Sequence, residues 1–397
     1  MAKKMMILGA SALQVPAIKK AKELGYEIIL VDYDPNAIGF ELADIKLVVS
    51  TLDQEEVYKQ ALIYNPDIII TSTSDGPVRT AAYVNEKMGK IPDLSYEDAC
   101  CATWKHSMRK RLKEYNVPIP EYYIVNNKTE FLDAVEKIEG KVIVKPADNA
   151  GSRGVILLEK EKIKNPLEIY EFSKSYSRNG VVMVEEYMEG EEVSVEALTI
   201  QGKTTIVSIT DKITTLPPHF VELGHSEPSR HSPQVQIEVK KVALQAIEAM
   251  KLINCPSHTE LKITNQGPKV VEIAARLGGD FITSKLVPLS TGVDLVGNSI
   301  ILATGGKVDL NKTQEQGAAI RFIQGKLGTL KKVYVPEDIR LMNGIEEVVI
   351  YKHCGEHIDN IMSSNDRLGH IIAIGQNAEE AIKNADAALE KIKIVIE

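Results

Sequence analysis

His258-Thr-Glu260-Leu-Lys262-Ile263 and Lys269-Val-Val-Glu272-Ile-Ala274-Ala-Arg276 flank the turn-rich segment Thr264-Asn-Gln-Gly267-Pro268. The two flanks are short β-prone runs around a turn, and this predicts a β-hairpin. Centring the hairpin on Gln266 sets Glu260 directly opposite Glu272 on one face. Cross-strand Cβ atoms lie about 4.5–5.5 Å apart, a distance at which like charges repel. A divalent cation converts that repulsion into ligation, and hard carboxylate oxygens suit Mg2+ or Mn2+. The period of two puts Arg276 on the same face, beyond Glu272. An exposed hairpin face with unpaired acids is the competing reading.

Working outward, Lys141-Val-Ile-Val-Lys145-Pro146-Ala-Asp-Asn-Ala-Gly151-Ser152-Arg153-Gly154-Val155 is a buried strand that ends in a lysine and a small-residue loop. Small residues let backbone N–H groups approach phosphate oxygens, and Lys145 adds a point charge. No Gly-Lys-Ser/Thr opens a helix here, so this is not a P-loop. A hairpin turn with a solvated arginine explains the same residues. Val181-Val-Met-Val-Glu185-Glu186-Tyr187-Met188-Glu189-Gly190-Glu191-Glu192 is an apolar strand that breaks into acidic chain. It offers backbone donors beside carboxylates, which an adenine edge and ribose hydroxyls require. Residues 211–233 read as a polar, proline-containing loop carrying His219, Glu222, His225 and His231. The histidine spacing matches no zinc motif. A substrate-covering loop is expected, since loops of that length in compact regions are mostly functional or disordered.

The first 95 residues alternate apolar strands (5–8, 28–31, 67–70) with helical patterns (15–24, 55–64), which predicts a parallel, doubly wound sheet. Gly9-Ala10-Ser11 after the first strand and Asp32 ending the second form half of a dinucleotide fingerprint. Its second and third glycines are missing, and turn geometry alone explains Gly9. A helix at 103–115 stops at Val117-Pro118-Ile119-Pro120, and a small α/β unit, hairpins, an amphipathic helix at 238–252 and an α/β tail follow. The predicted division of the chain is 1–115, 116–186 and 187–397.

The 397 residues are 44% hydrophobic and 26% charged, so a sizeable core is available. Their net charge of −8 argues against non-specific binding to nucleic acid or anionic membrane. No stretch approaches the roughly 18 apolar residues of a membrane span. The N-terminal apolar run is too short for a signal-peptide core, and the four cysteines form no CxxC. A cytoplasmic protein acting on small molecules is expected.

In this order along essentially the whole chain, the motifs resemble the ATP-grasp superfamily, and within it the amino-acid ligase (carboxylate–amine ligase) branch. The resemblance implies an N-terminal doubly wound domain (1–115), a small α+β lid domain (116–186) and a larger α+β C-terminal domain (187–397). It implies ATP with Mg2+ or Mn2+, small carboxylate and amine substrates, and an architecture compatible with a homodimer. Position by position, it implies nucleotide lysines at Lys105 and Lys145 and a phosphate-covering loop of Gly151, Ser152, Arg153 and Gly154. The adenine hinge becomes Glu185, Glu186, Tyr187 and Met188, with Glu192 on the ribose. Glu260 and Glu272 become metal ligands, and Arg276 joins Lys145 in catalysis. Glu222, His225, Gly278, Gly279 and Asp280 join Arg276 around the substrate. Trp104 stands where relatives often carry Asp, and Ala274 where many carry Asn, which removes one metal ligand. Arg321 and the tail Arg367-Leu-Gly369-His370 fit the C-terminal portion. The implied reaction joins a carboxylate to an amine through an acyl phosphate and releases ADP and phosphate. A bicarbonate-using carboxylase or carbamoyl-phosphate-synthase-like enzyme is the alternative, and a nicotinamide-binding protein using the Gly9 turn is a third.

Overall fold

A computed structural model describes residues 3–90, 94–149, 153–217 and 220–397, and these residues build four sheets. In the first, β1 (Lys4–Leu8), β2 (Glu27–Asp32), β3 (Ile45–Val48) and β4 (Ile68–Ile70) lie parallel in the order β3-β2-β1-β4. Met5 and Ile7 pack with α1 (Val15–Glu23), whereas Met6 and Leu8 pack with α2 (Gln54–Tyr64) and α3 (Asp75–Lys87). A strand covered on both faces must be apolar there, and Met5–Leu8 of β1 are. The expected doubly wound sheet is therefore present, with β3 and α3 in addition to the elements read from sequence.

The Gly9 turn is occupied by its own chain. Asp32 accepts the Ala10 N–H at 2.7 Å and the Asp34 N–H at 3.0 Å. Gln14 fills the adjoining space, donating to Ser74 Oγ at 3.0 Å and accepting the Ser72 N–H at 3.1 Å. The half-fingerprint is turn architecture.

After α4 (Tyr96–Cys101) and α5 (Lys105–Glu114), the strands β5 (Tyr122–Val125), β6 (Val142–Pro146), β7 (Ile156–Leu158) and β8 (Val182–Glu186) form an antiparallel sheet. Its order is β5-β8-β6-β7, and α6 (Lys128–Lys137) and α7 (Pro166–Ser175) pack on it around Phe131 and Tyr170.

The chain continues through β9 (Glu191–Ile200), β10 (Lys203–Thr214), β11 (Glu222–Glu227), α8 (Pro233–Ala249), β12 (Cys255–Thr264) and β13 (Gly267–Ala274). Then come α9 (Val287–Thr291), α10 (Leu295–Ala303), β14 (Gly317–Ile323), β15 (Gly328–Tyr334), β16 (Ile345–Ile350), β17 (His357–Ile358), β18 (Gly369–Gly375), α11 (Ala378–Leu389) and β19 (Lys393–Ile396). Eight of these strands make one sheet in the order β13-β12-β9-β10-β11-β14-β18-β16, and β17, β15 and β19 make a small one. The alternation within β9 decides what the large sheet can do. Val193, Val195 and Ala197 pack against α8 through Val239 and Ala243, so Ser194 and Glu196 turn to the opposite face. That opposite face is polar yet buried.

Residues 211–233, expected as a loop, include parts of two strands: β10 runs to Thr214, β11 holds 222–227, and α8 begins at Pro233. Lys212, His225 and Glu227 are drawn to the buried polar face rather than an apolar core, so no hydrophobic alternation announces the strands. Of the four histidine-loop residues named above, His219 lies outside the described residues. Cys100, Cys101 and Cys354 are free thiols. Among the described residues no single helix is long and apolar enough to cross a membrane.

Candidate active site

Glu260 pairs with Glu272 and His258 with Ala274 across β12 and β13. The turn itself is Asn265-Gln266, half a residue short of a centre on Gln266, and a bulge between Glu260 and Leu261 that skips Val271 restores the facing register. Two lysines supply the counter-charge that the facing carboxylates need. Lys105 Nζ lies 2.5 Å from Glu272 Oε2, and Lys212 Nζ lies 2.8 Å from Glu260 Oε1. Although burial disfavours charge on Lys105, the carboxylates of Glu272, Asp75 and Glu260 raise its pKa, so it stays protonated.

A cavity of about 270 Å³ opens over this face, between the eight-stranded sheet and the β5–β8 sheet. Among the residues expected at the site, Lys105, Lys145, Arg153, Glu185, Glu186, Tyr187, Met188 and Glu192 line it. So do Glu222, His225, Glu260, Glu272, Arg276, Gly279 and Asp280. Gly278 backs the wall: a Cβ there would sit 2.8 Å from Glu196 Oε2 and His258 Nδ1. Gly154 adopts φ +78, and a Cβ would meet the Tyr176 Cβ at 2.7 Å. It shapes the turn before β7. Gly151 and Ser152 lie outside the described residues.

One end of the cavity rests on a buried triad. Arg109, 1% exposed, forks onto Glu185 (Nε–Oε1 2.7 Å, Nη2–Oε2 3.0 Å) and also donates to the carbonyls of Val270 and Val271. Lys145 Nζ completes the triad 2.6 Å from Glu185 Oε2. Burial takes the Lys145 pKa down to about 8, opposed by Glu185 and reinforced by Arg109 and Lys105. Burial alone would push Glu185 up, but Arg109 and Lys145 hold it down at about 2. Glu185 therefore aims Lys145 from behind. Glu186 accepts from Lys269 Nζ at 3.0 Å and from the Glu121 N–H at 3.1 Å.

At the centre, Lys212 (2% side-chain exposure) lies 2.7 Å from Glu192, 2.8 Å from Glu260 and 3.6 Å from Glu222. Those three carboxylates raise its pKa well above the ordinary lysine value, against the cost of burial. His258 bridges Glu196 (Nδ1–Oε1 2.6 Å) and Glu260 (Nε2–Oε1 3.2 Å). Burial opposes its charge, yet the two acids lift it to about 9. Arg276 forks onto Asp75 at 2.8 and 2.9 Å, and through this contact α3 of the first sheet reaches the site. At the far end Asp280 faces His225 at 3.5 Å and takes a fork from Arg367 at 2.8 and 2.9 Å.

The donor set can be tested against a divalent cation. Among the described residues no group of three or more His, Cys, Asp or Glu side chains forms a metal cage. Mg2+ seldom needs one, because one or two carboxylates with phosphate oxygens and water complete its octahedron. Glu260 and Glu272 on adjacent strands meet that requirement, and Ala274 adds no ligand.

Asp75, Arg109 and Lys212 are site residues that no motif singled out, and Arg367, read from sequence only as part of the C-terminal tail, joins them at the site. The polar run Thr71-Ser-Thr-Ser-Asp75 at the carboxyl end of a parallel strand was a usable signal, since ligands bind at that edge of open α/β sheets. Arg109 is one turn from Lys105 on the same helix, so it was also within reach.

Residues 138–284 match the ATP-grasp domain family, and residues 321–397 match the L-amino acid ligase C-terminal domain 2. The chain thus carries an ATP-grasp domain followed by an L-amino acid ligase C-terminal domain, and it is similar to L-amino acid ligases. It is 24% identical over 317 residues to the L-arginine-specific L-amino acid ligase of Bacillus subtilis, covering 78% of this chain and 76% of that protein. It is 28% identical over 305 residues to the uncharacterized protein y4rH of Sinorhizobium fredii, covering 76% of this chain but only 62% of that longer relative. The crystal structure of L-amino acid ligase from Bacillus licheniformis superposes with a TM-score of 0.84 at 19% identity, covering all of both chains.

Proposed function

We propose that this chain is an ATP-dependent ligase that joins a carboxylate to an amine, with at least one partner an amino acid. The observation that carries the reading is the convergence in one cavity of Lys105 and Lys145, the Glu260–Glu272 pair and Arg276. Such a site supplies positioning and charge stabilisation, the two things phosphoryl transfer requires of a protein.

In this reading ATP lies between the 116–186 lid and the 187–397 unit, its base along Glu185–Met188 and its ribose at Glu192. Lys145, aimed by Glu185, and Lys105, aimed by Glu272, hold the phosphates, and the turn at Arg153-Gly154 covers them. Mg2+, or Mn2+ in its place, on Glu260 and Glu272 would neutralise charge on the β and γ oxygens. The substrate carboxylate oxygen attacks the γ-phosphorus, the bond to the β–γ bridging oxygen breaks, and ADP leaves. The amine then attacks the acyl carbon, phosphate departs with the C–O bond pair, and the nitrogen loses a proton. Arg276, held by Asp75, stabilises the equatorial oxygens in the first step and the oxyanion in the second. Glu222, His225 and the Gly278–Asp280 wall contact the organic substrates. Closure of the lid excludes water from the acyl phosphate.

The test is ADP release across all pairs of the common L-amino acids, with and without bicarbonate. Release that needs a particular pair and ignores bicarbonate supports the ligase. Release driven by bicarbonate alone replaces it with the carboxylase reading, and no nucleotide turnover under any mixture rejects both.

A further inference from the structure

The C-terminal segment touches the organic-substrate end of the cavity through one buried side chain. Arg367 follows the turn Ser364–Asp366 and is 3% exposed. Its fork on Asp280 accounts for one N–H of each terminal nitrogen, while Nε donates to the Glu222 carbonyl at 3.1 Å and Nη2 reaches Glu222 Oε2 at 3.3 Å. The guanidinium carbon lies 3.7 Å from the centre of the Phe322 ring. A planar cation stacked on an aromatic face and forked onto a carboxylate has little freedom left.

Asp280 and Glu222 both line the cavity, and Arg367 does not. They come from separate elements, the loop after β13 and the strand β11, so Arg367 fixes the spacing between two walls. The loop needs holding. Asp280 and Phe281 are consecutive non-glycine residues at φ +51 and φ +63, a conformation that persists only where surroundings enforce it. The C-terminal segment grips both: Arg367 takes Asp280, and the His370 ring packs on Phe281 with centroids 4.5 Å apart and planes tilted by 33°. None of the Arg367 contacts reaches Lys105, Lys145 or Glu185.

Taking the ligase reading as its basis, we propose that Arg367 is a positioning residue that sets the geometry of the organic-substrate wall. Residues 321–397 thereby select the substrate and leave nucleotide binding alone. The test uses full-length protein and the amino-acid pair that drives the fastest ADP release by wild type. Arg367→Met raises KM for the wall-bound amino acid at least tenfold and leaves KM for ATP within twofold. It also shrinks the kcat/KM preference for that amino acid over the runner-up at least tenfold. Arg367→Lys, which keeps the charge but cannot fork, falls between. Asp280→Asn gives the same split and serves if Arg367→Met does not fold, and the double variant is no worse than the poorer single one. Equal rises in both KM values, an unchanged amino-acid KM, or additive losses in the double variant would overturn the assignment. If wild type releases no ADP with any pair, the ligase reading fails first and this assignment with it.

Discussion

Replacing Glu185 with Gln isolates the buried triad on which the nucleotide end is built. The side chains of Arg109, Glu185 and Lys145 are 1%, 5% and 9% exposed, so water compensates little when the carboxylate charge goes. Arg109 then remains a cation buried against a neutral amide, and Lys145, which loses the one group opposing its burial, gives up its proton. Removing one partner of a buried ion pair costs about 3–5 kcal/mol, chiefly because the remaining charge is uncompensated. With a urea slope of about 3 kcal/mol/M, the unfolding midpoint falls by about 1–1.7 M. The cost is structural as well as electrostatic, because Arg109 also ties β8 to β13 through the Val270 and Val271 carbonyls. Adding Arg109→Met removes that stranded cation, so the double variant should regain part of the loss, a sign opposite to additivity. Equilibrium urea unfolding at pH 7 reads both. A single variant within about 1 kcal/mol of wild type, or a double variant less stable than the single, would refute the reasoning.

Three further outcomes follow from the same geometry. Lys145 sits at about 8 in the folded protein and loses its charge above that, so kcat/KM for ATP should fall as pH rises through about 8, and Lys145→Arg should remove that limb; a flat profile from pH 7 to 9.5 would contradict it. Lys212→Met strands the carboxylates of Glu192, Glu222 and Glu260, so it should lower the melting temperature and gain more stability from millimolar Mg2+ alone than wild type does, as differential scanning fluorimetry can measure. Glu272→Gln should cut turnover by about 100-fold or more and abolish thermal stabilisation by Mg·ATP, and wild-type activity in this variant would remove Glu272 from the metal site.

Local patterns carried the parts of the site built from contiguous chain. The Glu260–Glu272 facing pair was legible because a hairpin brings together residues twelve apart, although its centring on Gln266 held only through the compensating bulge. The parallel sheet was legible because doubly covered strands are apolar throughout, as Met5–Leu8 are. Its edge strand β3, with Lys46 and Val48 exposed, was not. The strands at 211–227 escaped because their inward face is polar, which is what a binding floor requires and what hydrophobic periodicity cannot register. The counter-ions escaped for a different reason. Asp75 meets Arg276 across 201 positions, and Arg109 meets Glu185 across 76. Only the packing of separate sheets establishes such pairs.

The central claim is that the Lys145, Glu260–Glu272 and Arg276 constellation transfers the γ-phosphoryl group to a carboxylate, and hydroxylamine tests it most directly. Protein, Mg·ATP and the acid substrate alone, with hydroxylamine replacing the amine, should yield a hydroxamate, formed when the nucleophile displaces phosphate from the acyl phosphate. The nucleotide product should be ADP in equal amount, and omitting the acid should abolish both. AMP with pyrophosphate would mean adenylation rather than γ-transfer, and ADP formed only with bicarbonate and without hydroxamate would mean a carboxylase; either result contradicts the account.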